Sequence, residues 1–501
     1  MFLKSTSLQS QKYLQLWKVN IFLFALIFSF SLIKANNIQI TQQPLLLNPN
    51  TEENTVSIKF NLSWENSWRV SVGPSNWDGA WVFVKYKISE GDWQQATLST
   101  DPSDYSIENG NGVAATIQPI STGKGVFIYR SENGFGNNNW EGIQLQWYYG
   151  ADSVPDNAEV IVQCFAIEMC YVPEGAFYVG SGGDESDHFK TFGSNNPYQI
   201  SSENEINVGQ TNGYLWSNNN FFIETSTIPV AFPKGFAAFW CMKYEITQEQ
   251  YADFLNTLTD TQKSNRYYDY FNQYRHYIKL VNGVYGCDGN NNNILNEADD
   301  GQNIACNFLS WADGTAYADW SGMRPMTELE FEKACRGTVA PVANEYAWGN
   351  TELVEETGIA NERTATEQTT PDNANCVFDY YTGVQGPVRV GNFARTNSTR
   401  QSAGASYYGI MELSGNLSER PVTVSNAAGR SFTGLLGDGA LDASGNANET
   451  SWPGVNAVGS GFRGGDWLYV AESLRISDRQ SAGTAASDRS YFYGFRCVAG
   501  E

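Results

Sequence analysis

The chain has 501 residues, 41% of them hydrophobic and 14% aromatic, which calls for more than one domain and supplies the apolar mass to fill them. Acidic residues number 54 against 31 basic ones, and the net charge of −23 makes nucleic acid a poor partner while suiting Ca²⁺, which takes carboxylate and amide oxygens. Only two histidines occur, so a three-histidine metal site is excluded, and eight cysteines leave room for disulfides or for a thiol site.

Residues 1–35 read as a secretory signal. Lys4, Lys12 and Lys18 form a positive leading region, Ile21 to Ile33 an apolar core short for a membrane span, and Ala35 a small residue for cleavage. An uncleaved anchor is the alternative. With the signal removed no membrane span is expected, and the chain is placed outside the cell or on its surface, where disulfides are the default.

From 36 to 169 the pattern is short strands. Val56, Ile58, Phe60, Leu62 and Trp64 alternate with polar residues, and the runs at 81–88, 126–129, 143–147 and 160–167 follow, separated by Gly, Asn, Asp and Pro. Period-two apolarity broken by turn residues predicts an antiparallel β-sandwich of immunoglobulin or fibronectin type.

Helices enter in the stretch 170–501. Thr247-Gln-Glu-Gln250 and Thr327-Glu-Leu-Glu330 are capping boxes, the second opening a helix that Gly337 should close, and 309–320 is a third helical candidate. Beyond Tyr346 the chain is rich in Gly, Asn and Ser with few periodic runs, so its loops need staples: disulfides, cations or aromatic packing. The fold class is therefore α+β, dominated by loops. His188, in Asp184-Glu-Ser-Asp-His188, reads as part of a solvated loop, and His276 receives no metal role. Cys287 and Cys306 bracket an Asn/Asp-rich loop and are candidates to pair with each other. Cys164, Cys170, Cys241 and Cys376 have no assigned partners.

Several segments resemble the formylglycine-generating enzyme (sulfatase-modifying factor) domain. They are Cys170-Tyr-Val-Pro-Glu-Gly-Ala-Phe-Tyr-Val-Gly180, Tyr244-Glu-Ile-Thr-Gln-Glu-Gln-Tyr251, Arg324-Pro-Met-Thr-Glu-Leu-Glu-Phe-Glu-Lys-Ala-Cys-Arg-Gly337, Gly409-Ile-Met-Glu-Leu-Ser-Gly-Asn-Leu-Ser-Glu419, Phe462-Arg-Gly-Gly-Asp-Trp467 and Gly494-Phe-Arg-Cys497, in the family's order. The resemblance implies a C-type-lectin-like fold for 170–501 behind the sandwich. Its catalytic members bind copper through two cysteines placed shortly after a Gly-Gly-Ser-Trp-like motif; here Gly464-Gly-Asp-Trp467 is followed by no cysteine before Cys497, so no copper is expected. Nor is iron, because a second branch of the broader family holds it with three histidines. The resemblance also implies a Cys335–Cys497 disulfide and structural Ca²⁺ at Asn416 and Glu419 and at Asn361 and Glu362, although Ser418 stands where the family has Trp.

Between the anchors Gly464-Gly465, Arg475, Arg479, Arg489 and Gly494-Phe-Arg496 lie Asp466, Trp467, Leu468, Tyr469, Ser473, Ser481, Gly483, Thr484, Ser487, Ser490, Tyr491 and Tyr493. Tyr, Ser, Gly and Asp are what adaptable paratopes use, and the arrangement resembles the variable proteins of diversity-generating retroelements. Ordinary loop composition is the competing reading, which codons would separate. The function expected is an exported, non-catalytic ligand-binding protein whose C-terminal segment meets a surface protein or glycan. A divergent oxidoreductase and a structural component of a surface apparatus are the alternatives.

Overall fold

The computed structural model describes residues 37–217, 224–379 and 383–500; the expected signal segment lies outside them. Strands β1 (Gln39–Ile40), β2 (Leu45–Asn50), β3 (Thr55–Arg69), β4 (Asp78–Ile88), β5 (Gln94–Gln95), β6 (Ser106–Asn109), β7 (Ala115–Pro119), β8 (Val126–Arg130), β9 (Gly134–Trp147) and β10 (Val160–Val172) occupy the expected sandwich region. One antiparallel sheet has the order β1-β3-β9-β6, with β2 also on β3. The alternation read in β3 turns Val56, Ile58, Phe60, Leu62 and Trp64 inward, where they meet Trp140, Ile143, Leu145 and Trp147 of β9 and Val82 and Val84 of β4.

The second sheet takes in β11 (Phe239–Met242), β12 (Arg324–Pro325) and β13 (Cys497–Gly500), and runs β12-β13-β11-β10-β4-β8-β7 with β5 beside β4. β10 pairs with β4 from Val160 to Cys170 and with β11 from Met169 to Val172, so the junction expected at 169/170 falls inside one strand. This sheet is covered on both faces, which is why β4 reads Trp81-Val-Phe-Val84 without polar interruption. Val82 and Val84 face the first sheet, while Trp81 and Phe83 face the helices.

Those helices are α1 (Gln248–Asn256), α2 (Asp260–Arg266), α3 (Trp311–Trp320), α4 (Glu328–Arg336) and the short α5 (Ala427–Arg430). Thr247 caps α1 and Thr327 caps α4, both capping boxes being closed in each direction, and Gly337 ends α4 with φ 70°. Ser310 with Asp313 does the same for α3, and Thr259 with Gln262 for α2, which the sequence reading omitted. Tyr251, Phe254 and Leu255 of α1 and Trp311, Tyr317 and Trp320 of α3 pack on the second sheet. The result is an all-β sandwich leading into an α+β lobe, as expected. Among the described residues no helix is long and apolar enough to cross a membrane.

All eight cysteines are buried free thiols here. Cys335 lies in one apolar cluster with Cys170, Cys241 and Val498, whereas Cys497, the neighbour of Val498 in β13, points to the other face of the sheet and packs with Trp240 and Met242. Cys287 and Cys306 share a cluster. Buried ion pairs staple the loops. Arg463 and Arg479 both meet Glu328 of α4, Arg336 meets Glu332 and Glu345, and Arg496 meets Glu419. The stretch around His188 is not a solvated loop. His188 is buried, its Nδ1 against the Glu185 carbonyl and its Nε2 against Asn195 Oδ1, because the Ser186 carbonyl accepts the Arg479 backbone N–H and the Asp187 carbonyl its guanidinium.

Candidate functional site

The C-terminal segment is laid over the lobe by its arginines. Arg463 Nη1 reaches Glu328 Oε2 at 3.1 Å and Nη2 reaches Glu332 Oε1 at 2.8 Å. Arg479 Nε binds Glu328 Oε2 at 2.8 Å, with its guanidinium 3.8 Å from the Phe189 ring centroid. Arg489 forks onto Asp313 of α3 at 2.7 and 2.8 Å, and Arg496 Nε reaches Glu419 Oε1 at 2.6 Å. Arg475 is the weak member, 3.7 Å from an exposed Asp184. Gly464 and Gly465, at φ 82° and 64°, let the chain turn close to its supports: a Cβ at Gly464 would stand 2.7 Å from the Leu413 carbonyl oxygen, and one at Gly465 would stand 2.6 Å from Leu474.

Between these anchors the segment walls a shallow pocket of about 110 Å³. Tyr469, Ser473, Ser481, Thr484 and Tyr493 line it together with Ser418, Phe462 and Phe492. Phe462 and Tyr493 stack at 4.5 Å, and the Arg420 guanidinium sits 4.8 and 5.0 Å from their centroids. Tyr469 stands 46% exposed at the rim, where Ser481 and Thr484 are also exposed. The floor is a hydrogen bond from Ser418 Oγ to Asp466 Oδ2 at 2.6 Å. Burial pushes the Asp466 carboxyl up to about 7, against the lowering effect of that bond and of the Leu468 N–H.

Of the residues expected to bind ligand, the structure thus gathers Tyr469, Ser473, Ser481 and Tyr493 on one pocket. Asp466 is buried beneath it, whereas Trp467, buried, and Leu468, half-buried, belong to a neighbouring cluster in which the Trp467 ring lies 5.5 Å from Tyr274 and 5.6 Å from Tyr491. Gly483 and Ser487 stay on the loop outside the lining. Ser490 and Tyr491 turn toward a second aromatic group: the Ser490 carbonyl accepts the Phe308 N–H at 3.0 Å, and Tyr491 stacks on Tyr274 at 4.3 Å. The sequence reading missed Phe462, Phe492 and Ser418 as lining residues. Ser418 had a signal, since it and Asp466 are both departures from the family pattern, and they touch.

The expected cation turns have protein partners. Asn416 Oδ1 accepts the Val388 N–H at 2.9 Å and its amide donates to Glu245; Glu419 Oε1 is held by Arg496. Glu419 Oε2 and Glu412 Oε2 are buried with no hydrogen bond, and burial pushes the Glu412 carboxyl up to about 7. Asn361 and Glu362 are exposed, the latter 3.7 Å from Arg275. Among the described residues no three His, Cys, Asp or Glu side chains converge to hold an ion. In the Asn/Asp-rich loop, Asp288 accepts from Lys279 and from the N–H groups of Asn292 and Asn293, so the loop closes as turns. His276 is buried against Asn307, and burial pulls its imidazole down to about 4.

Residues 163–500 match the family model described as "Sulfatase-modifying factor enzyme 1-like domain". A curated formylglycine-generating enzyme of Streptomyces coelicolor is 52% identical over 42 residues, a match that covers 8% of this chain and only 13% of that protein. Among solved structures, Treponema denticola variable protein 1 aligns at 12% identity over 67% of this chain and 96% of its own, with a TM-score of 0.34.

Proposed function

We propose, from the premise that the chain belongs to the sulfatase-modifying factor enzyme 1-like family and carries its C-type-lectin-like fold, that it is an exported, non-catalytic ligand-binding protein. The observation that carries this reading is the division of labour in the C-terminal segment. Arg463, Arg479 and Arg496 are buried in ion pairs, while Tyr469, Ser481 and Thr484 stand outward round a pocket. A binding surface that adapts without disturbing its scaffold needs that separation.

Thiol chemistry lacks reagents there. No cysteine lies between Cys376 and Cys497, and burial pushes both of those thiols far above the ordinary range, away from the thiolate that soft metals and nucleophilic steps require. A divergent oxidoreductase would have to draw on other polar residues of the segment, such as Asp466, Arg475 and Arg479; of these, Arg479 is committed to Glu328, and Asp466 is covered by Ser418. Ca²⁺ at the Asn416–Glu419 turn stays a proposal, resting on the free oxygens of Glu412 and Glu419.

The purified protein, supplied with Cu(I) and a peptide bearing a sulfatase-type cysteine, is expected to form no formylglycine above a protein-free control, read as the aldehyde mass. Aldehyde formation that scales with protein concentration overturns the non-catalytic reading.

A further inference from the structure

The pocket walled by the C-terminal segment offers a ligand no free charge. Two charged side chains line it, Arg463 and Asp478. Arg463 is buried on Glu328 and Glu332 and donates to the Ile476 carbonyl, while Asp478, only 8% exposed, accepts the Gln480 N–H at 3.1 Å. Arg420, beside the Phe462 and Tyr493 rings, is buried as well. A phosphate, a carboxylate or an ammonium entering here would give up its water and meet no opposite charge, which is unfavourable.

What the pocket does present is neutral and within reach of solvent. Tyr469, Gln480, Ser481 and Thr484 are exposed and Ser473 is half-buried. Among the described residues none of their hydroxyl or amide tips is hydrogen-bonded to the rest of the chain. Elsewhere in the loops of the lobe such side chains close turns on the backbone, as Ser398 does with the Arg395 N–H and Ser402 with that of Thr399. Each free hydroxyl both donates and accepts, and the Gln480 amide does so at separate atoms. These tips surround an aromatic corner. Phe492, half-buried, meets Tyr469 at 5.8 Å and 86° and Tyr493 at 4.7 Å and 78°. The faces of such rings are electron-rich and attract weakly positive C–H groups.

An apolar side chain of a protein would use the rings and leave the hydroxyls to water. A small polyol without an apolar face would do the reverse. A sugar ring stacks through its C–H face and carries hydroxyls round its edge, so it uses both. The shallow space of about 110 Å³ suits a single ring, since drug- and cofactor-sized ligands take about 300–1,000 Å³.

We propose that this pocket takes one neutral pyranose ring, stacked in the Tyr469–Phe492 corner with its hydroxyls shared among Ser473, Gln480, Ser481 and Thr484. The assignment deepens the ligand-binding reading given above and rests on it.

Saturation-transfer NMR of the full chain with methyl glucoside, methyl galactoside and N-acetylglucosamine tests it, alongside glucuronate, galacturonate, glucosamine and galactosamine. At least one neutral sugar is expected to bind, with a Kd of about 1 mM for a ligand of this size. The acid and amine forms of the same ring should bind roughly tenfold more weakly or worse. Tyr469→Phe, which keeps the ring and removes the hydroxyl, should weaken binding by a few-fold. Ser481→Ala and Thr484→Ala together should weaken it about tenfold, with melting temperatures unchanged. The proposal is overturned by the absence of binding from every neutral sugar at about 20 mM, or by an acid or amine form that binds as tightly as the neutral one. An affinity that all these substitutions leave unaltered overturns it too. Sugars that fail while the peptide assay yields no aldehyde strike this assignment and leave the non-catalytic reading standing; aldehyde formation strikes that reading, and this one with it.

Discussion

The sandwich and the lobe behind it fix their backbones by different chemistry. Between the sandwich sheets an apolar core runs from Val56, Ile58 and Phe60 to Trp140 and Trp147, and buried polar side chains are confined to one end, where Ser67 donates to Asp78 and Arg130 to Ser67, because the strand ladders already satisfy most peptide groups. The lobe has long stretches without a ladder, and there buried guanidiniums do that work. Arg463 donates to the Ile476 carbonyl, Arg496 to those of Met242 and Met411, and Arg336 to that of Tyr178, while carboxylates neutralise them. Five donors on one rigid fork can pin several loop carbonyls at once. Irregular backbone is thus held by charge where regular backbone is held by oil.

Removing Glu328 should do the most damage. In Glu328→Ala two guanidiniums, Arg463 and Arg479, lose a fully buried partner, a change that costs about 3–5 kcal/mol. Urea denaturation followed by tryptophan fluorescence is expected to show the lobe unfolding ahead of the sandwich; a loss below about 1 kcal/mol would break the contrast drawn above.

Asp466→Asn should follow, with a pH signature. The folded carboxyl is raised from 3.8 to about 7, so the unfolded chain gives up its proton first as pH rises. Wild-type stability therefore falls between about pH 4 and pH 7 on account of this group, and the penalty, of the order of a few kcal/mol at most, is complete above pH 7. The stability of Asp466→Asn relative to wild type should improve from pH 4.5 to pH 8. A pH-independent difference would mean that Asp466 is not paying for desolvation.

In the sandwich the corresponding probe is Ile58→Val, at a fully buried position. It should cost about 0.5–1.5 kcal/mol, with no dependence on pH or salt. Smallest of all, Tyr469→Ala at the rim should move stability by no more than about 0.5 kcal/mol, and yet reduce capture of whatever ligand the C-terminal pocket takes. A melting temperature that drops by several degrees would mark Tyr469 as scaffold instead.

Strands and helices were legible where a local period or cap announces them. The alternation in 56–64 and the boxes at Thr247 and Thr327 are complete within one turn or one strand, and all three are formed. α2 carries the same box at Thr259–Gln262 but lacks an apolar stripe, since only Arg266 in it is buried, so periodicity gave no prompt. The ion pairs that tie the C-terminal segment to α4 were illegible because their members are far apart in the chain: Arg479 lies 151 residues from Glu328, and Arg463 lies 131 from Glu332. At the pocket, the arginine and glycine anchors stood out in the sequence, whereas which side chains between them face outward depends on turns that composition does not encode. The change of character near 169 records what covers the faces of β10, not where that strand stops.

That shared strand has a consequence for any shortened form of the protein. A chain begun at residue 170 would keep three of the four pairs between β10 and β11 but lose nearly all of the part of β10 that joins β4, leaving a hydrogen-bonding edge and the face of Trp240 that packs on Trp77, Phe127 and Tyr129 bare. Open edges of this kind recruit other chains. The sandwich therefore covers an edge and an aromatic face that the lobe would otherwise expose, and the lobe made alone should be found in the insoluble fraction.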